Sequence, residues 1–161
     1  MKTILLATDG SPSAQKATET AIELAEGLGA VLRIVSAWRI PVYEYGYVPA
    51  QYTPELIDAQ RQGAERAVAH AVDAATTAGI TATFELRQGD ASNEICAAAD
   101  EVHADMIVLG AHGWGAMKRL LFGSVSSAVL HHASCPVLVV RGDAEAQERE
   151  KAGAGTALSV V

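Results

Sequence analysis

No apolar run in this 161-residue chain approaches the roughly 18 residues that a membrane span requires. The opening Met1-Lys2-Thr3-Ile4 runs straight into a short apolar stretch without the layout of a signal peptide, so the expected location is cytoplasmic and no membrane partner is expected. Cysteine is scarce. Cys96 and Cys135 are far apart, lack metal-site spacing and stand among apolar residues, which predicts reduced core thiols and argues against a thiol enzyme. Positive charge is also in deficit: 12 Lys and Arg face 19 Asp and Glu, for a net charge of −7. A nucleic-acid surface needs clustered bases, so no nucleic-acid partner is expected.

Two common nucleotide loops are missing as well. No G-x-x-x-x-G-K-[ST] stretch occurs, which excludes a P-loop, and Gly110, Gly113 and Gly115 stand in the reverse of the dinucleotide spacing G-x-G-x-x-G. The adjacent His131 and His132 project about 100° apart on a helix and make a poor pair of ligands for one metal; one is expected to face the core and the other water. There is no internal repeat.

What is present is an apolar half of the chain, enough for one domain with a full core. Ile4 to Ala7 reads as a buried strand. Asp9-Gly10-Ser11-Pro12 then supplies a turn, a helix cap and a first-turn proline, and Ala14, Ala17, Ala21, Leu24, Ala25 and Leu28 mark a helix that stops near Gly27 and Gly29. Val31 to Val35 predicts a second strand. The stretch from Trp38 to Pro54 reads as a long loop, either a binding segment or a plain connector. Helical periodicity returns at Ile57, Ala64, Ala67, Val68, Ala71, Val72 and Ala75, and Ile80, Ala82, Phe84 and Leu86 alternate as a strand.

Gly89-Asp90 marks a turn, Ile95, Ala99 and Val102 a third helix, and Met106 to Leu109 a buried strand. Val125, Ala128, Val129 and His132 predict a short fourth helix before the strand Val137 to Val140. Five strands alternating with four helices predict an α/β fold, an open parallel sheet with helices on both faces. Residues 142–161 are polar and small, and read as a flexible tail whose acidic half could instead lie against a partner.

In such a sheet, ligands sit beyond the carboxyl ends of the strands where the winding reverses. One candidate segment is Ala7-Thr8-Asp9-Gly10-Ser11. Asp9 has two readings, a turn or helix-capping carboxylate, or an acceptor for a ribose that could share a metal with phosphates. The other is Gly110-Ala-His-Gly113, followed after nine residues by Gly123-Ser124, a split phosphate cradle of glycines and a helix start. Ser124 and Ser126 are candidate hydroxyl donors to phosphate, with Ser124 alternatively a cap. His112 is either a donor to the ligand or a solvated loop residue. Lys118 and Arg119 project from the intervening loop, solvated or near the phosphates, while Leu120, Leu121 and Phe122 are expected to pack inward.

On these residues the chain resembles the universal stress protein family over residues 1–141. Gly110, Gly113, Gly123 and Ser124 satisfy the family's ATP-binding pattern G-x2-G-x9-G-[ST], His132-Ala-Ser-Cys-Pro-Val-Leu-Val-Val-Arg141 looks like its last strand, and Asp9 matches the aspartate after its first. The resemblance implies strand order 3-2-1-4-5, an adenine nucleotide alpha hydrolase-like sheet. It implies that Ala7, Thr8, Asp9 and Ser36 surround the adenosine, with Leu109, Gly110, His112 and Gly113 and the run Gly123, Ser124, Val125 and Ser126 around ribose and phosphates. An apolar residue is common in place of Ser36. The implied ligand is ATP, with AMP or cyclic AMP as alternatives, accompanied by Mg²⁺ or Mn²⁺ near Asp9. A homodimer through the last strand, residues 136–141, is also implied. The functions that follow are an ATP-dependent stress-response switch with an unidentified protein partner, a slow ATP hydrolase or phosphotransferase, or a nucleotide-independent interaction protein.

Overall fold

The computed structural model describes residues 2–40, 53–114 and 122–142. The Trp38–Pro54 loop in large part, the bases Lys118 and Arg119, the apolar Leu120 and Leu121, and the tail from 143 lie outside the described residues.

Nine elements alternate along the chain: β1 (Thr3–Ala7), α1 (Pro12–Leu28), β2 (Val31–Trp38), α2 (Pro54–Thr77), β3 (Ala82–Gln88), α3 (Ala91–Glu101), β4 (Met106–Gly110), α4 (Ser124–His132) and β5 (Val137–Val140). Their boundaries follow local chemistry. Ser11 caps α1 by accepting from the Ala14 amide at 3.4 Å, Pro12 opens it, and Gly29 ends it in the left-handed region at φ 60°. Thr53 and Pro54 repeat the cap-and-proline start at α2.

Asp90 caps α3 through bonds from the Ser92 and Asn93 amides, and accepts also from the Ser92 hydroxyl at 2.6 Å. The Ser92 hydroxyl first, then the Asn93 amide, hold its carboxyl below the usual carboxylate range. A lowered folded-state pKa stabilises the fold above the ordinary value near about 4 and loses that contribution as pH falls through the lowered one. Asp90→Ala is therefore expected to lower the melting temperature at pH 7 by about 2–4 °C, from a cap worth about 1 kcal/mol. The difference from the parent, followed by calorimetry, should shrink as pH is taken down through the carboxylate range.

All strand pairs are parallel, in the order β3-β2-β1-β4-β5. Strand alternation feeds two cores. Ile4, Leu6, Leu32, Ile34 and Val108 pack against the alanines of α1 and α2, whereas Leu5, Ala7, Val35, Ile107 and Leu109 pack against α3 and α4. Ala17, Ala21 and Ala25 let α1 lie close on the sheet, and each large aliphatic side chain fully buried contributes about 1.5–3 kcal/mol.

Some sequence expectations shift at the margins. Phe84 alternates with Ala82 and Leu86 but is 60% exposed, because β3 is an edge strand and the ring overhangs where α2 covers Ile34 on the neighbouring strand. Leu28, in the last turn of α1, is also exposed. His131 and His132, in the last turn of α4, both face solvent, where the sequence predicts one facing the core. Cys96 and Cys135 are only half-buried, on the rim of the second core, and neither is in a disulfide. Burial foremost, then the nearby Asp100 carboxylate, pushes both thiols up, which makes them poor nucleophiles at neutral pH.

The order of the strands creates the crevice. Chain growth from β1 through β2 to β3 runs one way and carries α1 and α2 on one face; β4 then returns to the other side of β1, and right-handed crossovers place α3 and α4 on the opposite face. Ala7 lies beside Leu109 across the β1–β4 pair, so the chain leaves both strands at the same level and diverges. That divergence is a switch point.

Candidate functional site

A cavity of about 340 Å³ opens at this switch point. Ala7, Thr8 and Asp9 line it from the end of β1. Leu109, Gly110, His112 and Gly113 line it from the end of β4, and Gly123, Ser124, Val125 and Ser126 from the start of α4. Three segments remote in sequence thus share one space.

Ser36 is the exception among the anticipated residues. Buried on β2, it lines an adjoining cavity instead, because strand alternation turns it to the face opposite Val35 and Ala37, which do line the main one. Ala91 and Ile95 of α3 complete an apolar wall that motif reading did not include. The available signal was positional, since α3 is the first helix on that face of the sheet.

The loops are held by their own hydrogen bonds. Asp9 Oδ1 accepts from the Ser11 amide at 2.9 Å, a bond within the turn that precedes the Ser11 cap, so the carboxylate shapes the turn while its residue faces the cavity. Ser11 Oγ donates to the His112 carbonyl at 3.1 Å. Ser13 Oγ donates to the same carbonyl and accepts from the His112 amide. These two serines are buried, and they fasten the loop after β4 to the start of α1. Trp114 Nε1 donates to the Asp9 carbonyl at 2.8 Å, a second tie between the two loops. Ser13 and Trp114 follow no spacing rule and emerge only from the fold, as does the bond from Ser11, legible in sequence as a cap, to His112.

The glycines are required by close approach rather than by unusual dihedrals, since the positive-φ glycines among the described residues are Gly10, Gly29 and Gly79. A Cβ on Gly110 would meet the Ser13 carbonyl carbon and the Ala14 amide nitrogen, each at 2.7 Å. One on Gly113 would meet Asp9 Oδ2 at 2.6 Å. Ordinary backbone conformations suffice at Gly110, Gly113 and Gly123.

The two serines of α4 differ. Gly123 is the cap residue and no side chain caps the helix, so Ser124 is not the cap. Ser126 Oγ, 2% exposed, points at the Ala111 and Gly123 carbonyls at 2.9 and 3.1 Å. Its single hydroxyl proton faces these carbonyls and ties the loop after β4 to the start of α4. The first-turn amides of Ser124, Val125 and Ser126, which an α-helix leaves without intrahelical acceptors, border the cavity. Val125, 37% exposed, is likewise on the cavity side rather than in the core. Among the described lining residues there is no lysine or arginine, so an anion here meets amides and a helix N-terminus.

The fold and this divided glycine site define an open α/β domain with its crevice between β1 and β4. The universal stress protein family model matches residues 1–141, and the chain belongs to that family. It is 39% identical over 140 residues to a universal stress protein of Thermus aquaticus, covering 87% of this chain and 98% of the relative. A universal stress protein of Methanocaldococcus jannaschii is 32% identical over 141 residues, covering 87% and 82% respectively. Among solved structures, a universal stress protein in complex with cAMP superposes with a TM-score of 0.67 at 28% identity, covering 88% of this chain and 98% of that one.

Proposed function

We propose that this chain binds ATP at the β1–β4 crevice and serves as a nucleotide-dependent switch in a stress response. The observation that carries the reading is the convergence of Asp9, the Gly110–Gly113 loop and the uncapped start of α4 on one cavity. Adenine suits the apolar side formed by Val35, Ala37 and Ile95, and the phosphates suit the amides of α4 and the glycine loop. The solved relative with cAMP supports an adenine nucleotide of some kind, with AMP and cyclic AMP as the alternatives to ATP.

Among the described residues no three His, Cys, Asp or Glu side chains cluster as a metal site. A Mg²⁺ or Mn²⁺ ion would therefore arrive with the phosphates, and Asp9 offers the hard carboxylate oxygen that such ions take. Binding is the function this arrangement supports; the Asp9 carboxylate is already engaged by the Ser11 amide.

The proposed unit is residues 1–141, with 142–161 an appended tail, working in the cytoplasm as a homodimer through residues 136–141. β5 is an edge strand, its Val137 to Val140 are half-buried and uncharged, and its outer backbone groups are suited to pairing with a second copy. Nucleotide acts as a switch only if two states of the protein, recognised differently by a partner, bind it with different affinity. Equilibrium dialysis against ATP, AMP and cyclic AMP tests the site. We expect saturable binding of at least one of them, and no binding at millimolar ligand sinks the reading.

A further inference from the structure

A second cavity, of about 410 Å³, adjoins the first. Asp9, Ala37, Ala91, Trp114, Ser124 and Val125 line both, so the two spaces are continuous along the side where the α4 amides would hold phosphate. Its chemistry differs from that of the first. Both tryptophans of the chain, Trp38 and Trp114, border it, together with Arg39.

Trp114 is 74% exposed, yet its indole N–H is fixed on the Asp9 carbonyl, which leaves a large aromatic surface held in place at the junction. Arg39 meets Asp90 Oδ2 at 3.6 Å, with both side chains about half or more exposed, whereas the cap bonds of Asp90 all use Oδ1. So exposed and long an ion pair is worth little, and the guanidinium can turn to an anionic ligand without undoing the cap. Indoles and a guanidinium plane together favour a flat π-system next to negative charge.

We propose that this second cavity takes the distal ring of a dinucleotide-class ligand, an adenine nucleotide whose phosphate chain carries a second nucleoside. The inference rests on the adenine-nucleotide reading of the first cavity. Adenosine occupies the space beside Val35 and Ala37, the phosphate bridge passes Ser124 and Trp114, and the second base stacks on the tryptophans with Arg39 near the bridge. The experiment is calorimetric titration of the full chain with ATP and with diadenosine tetraphosphate, in the parent and in the Trp38→Leu and Arg39→Ala variants.

The expected result is at least tenfold tighter binding of the dinucleotide than of ATP in the parent. Trp38→Leu should remove most of that advantage with ATP affinity held within twofold, and Arg39→Ala should weaken the dinucleotide several-fold more than it weakens ATP. Arg39 is on the surface, so its variant reports even where the tryptophan change disturbs folding. ATP binding with no advantage for the dinucleotide, or variants that weaken both ligands equally, overturns this inference alone. Absence of binding by both ligands overturns this inference and the ATP form of the first-cavity reading, and dialysis against AMP and cyclic AMP then decides whether that cavity takes any adenine nucleotide.

Discussion

Gly113→Val is expected to weaken adenine-nucleotide binding about 100-fold while the chain stays folded. Even the first carbon of the new side chain would fall 2.6 Å from Asp9 Oδ2, and the two methyls beyond it would crowd a cavity-lining loop. Asp9 is exposed and can swing away, which spares the core but removes the carboxylate from its place opposite the glycine loop. Losing two or so polar contacts to a charged ligand costs about 3 kcal/mol, and each 1.4 kcal/mol is about tenfold. Titration calorimetry alongside a melting curve separates the effects. Unchanged affinity in a folded variant would remove the glycine loop from the binding site.

Gly110→Ala, a smaller change in the same motif, should act on the fold instead. Its Cβ would meet backbone, the Ser13 carbonyl carbon and Ala14 amide nitrogen at 2.7 Å, which no rotamer change relieves. β4 and the start of α1 must move apart, disturbing the Ser13 bonds to His112. Overpacking of this kind costs about 1–3 kcal/mol, and at this chain length about 2–4 °C of melting temperature per kcal/mol. We expect a fall of about 6–10 °C by scanning calorimetry. A variant as stable as the parent would mean that α1 tolerates displacement and that Gly110 is free to serve the ligand alone.

These two expectations differ although the motif treats the glycines alike. Spacing identifies where the backbone must be bare, but only the fold says what lies against it. The same limit separates the serines at the start of α4. In sequence Ser124 and Ser126 are both candidate hydroxyl donors, whereas in the structure Ser126 is turned inward onto two carbonyls and Ser124 is exposed.

Legibility was greatest where a single element carries the signal. The alanine face of α1, the Ser11-Pro12 start, the Gly29 stop and the buried run of β4 depend on neighbours a few residues away, so periodicity and caps place them closely. It was poorest at edges. Phe84, Leu28 and His132 follow the right period, yet period describes direction and not how far the covering layer extends.

By itself, the sequence determined the alternation of strands and helices and the divided glycine pattern, because hydrophobic period and the absence of side chains are properties of the chain. Tertiary structure decided that Ser36 faces the α2 side while Val35 and Ala37 border the main cavity, that Ser11 and Ser13 fasten His112, and that Trp38 and Trp114 line one cavity. Those facts depend on parallel register and on the reversal of winding between β1 and β4, which bring together residues about a hundred positions apart.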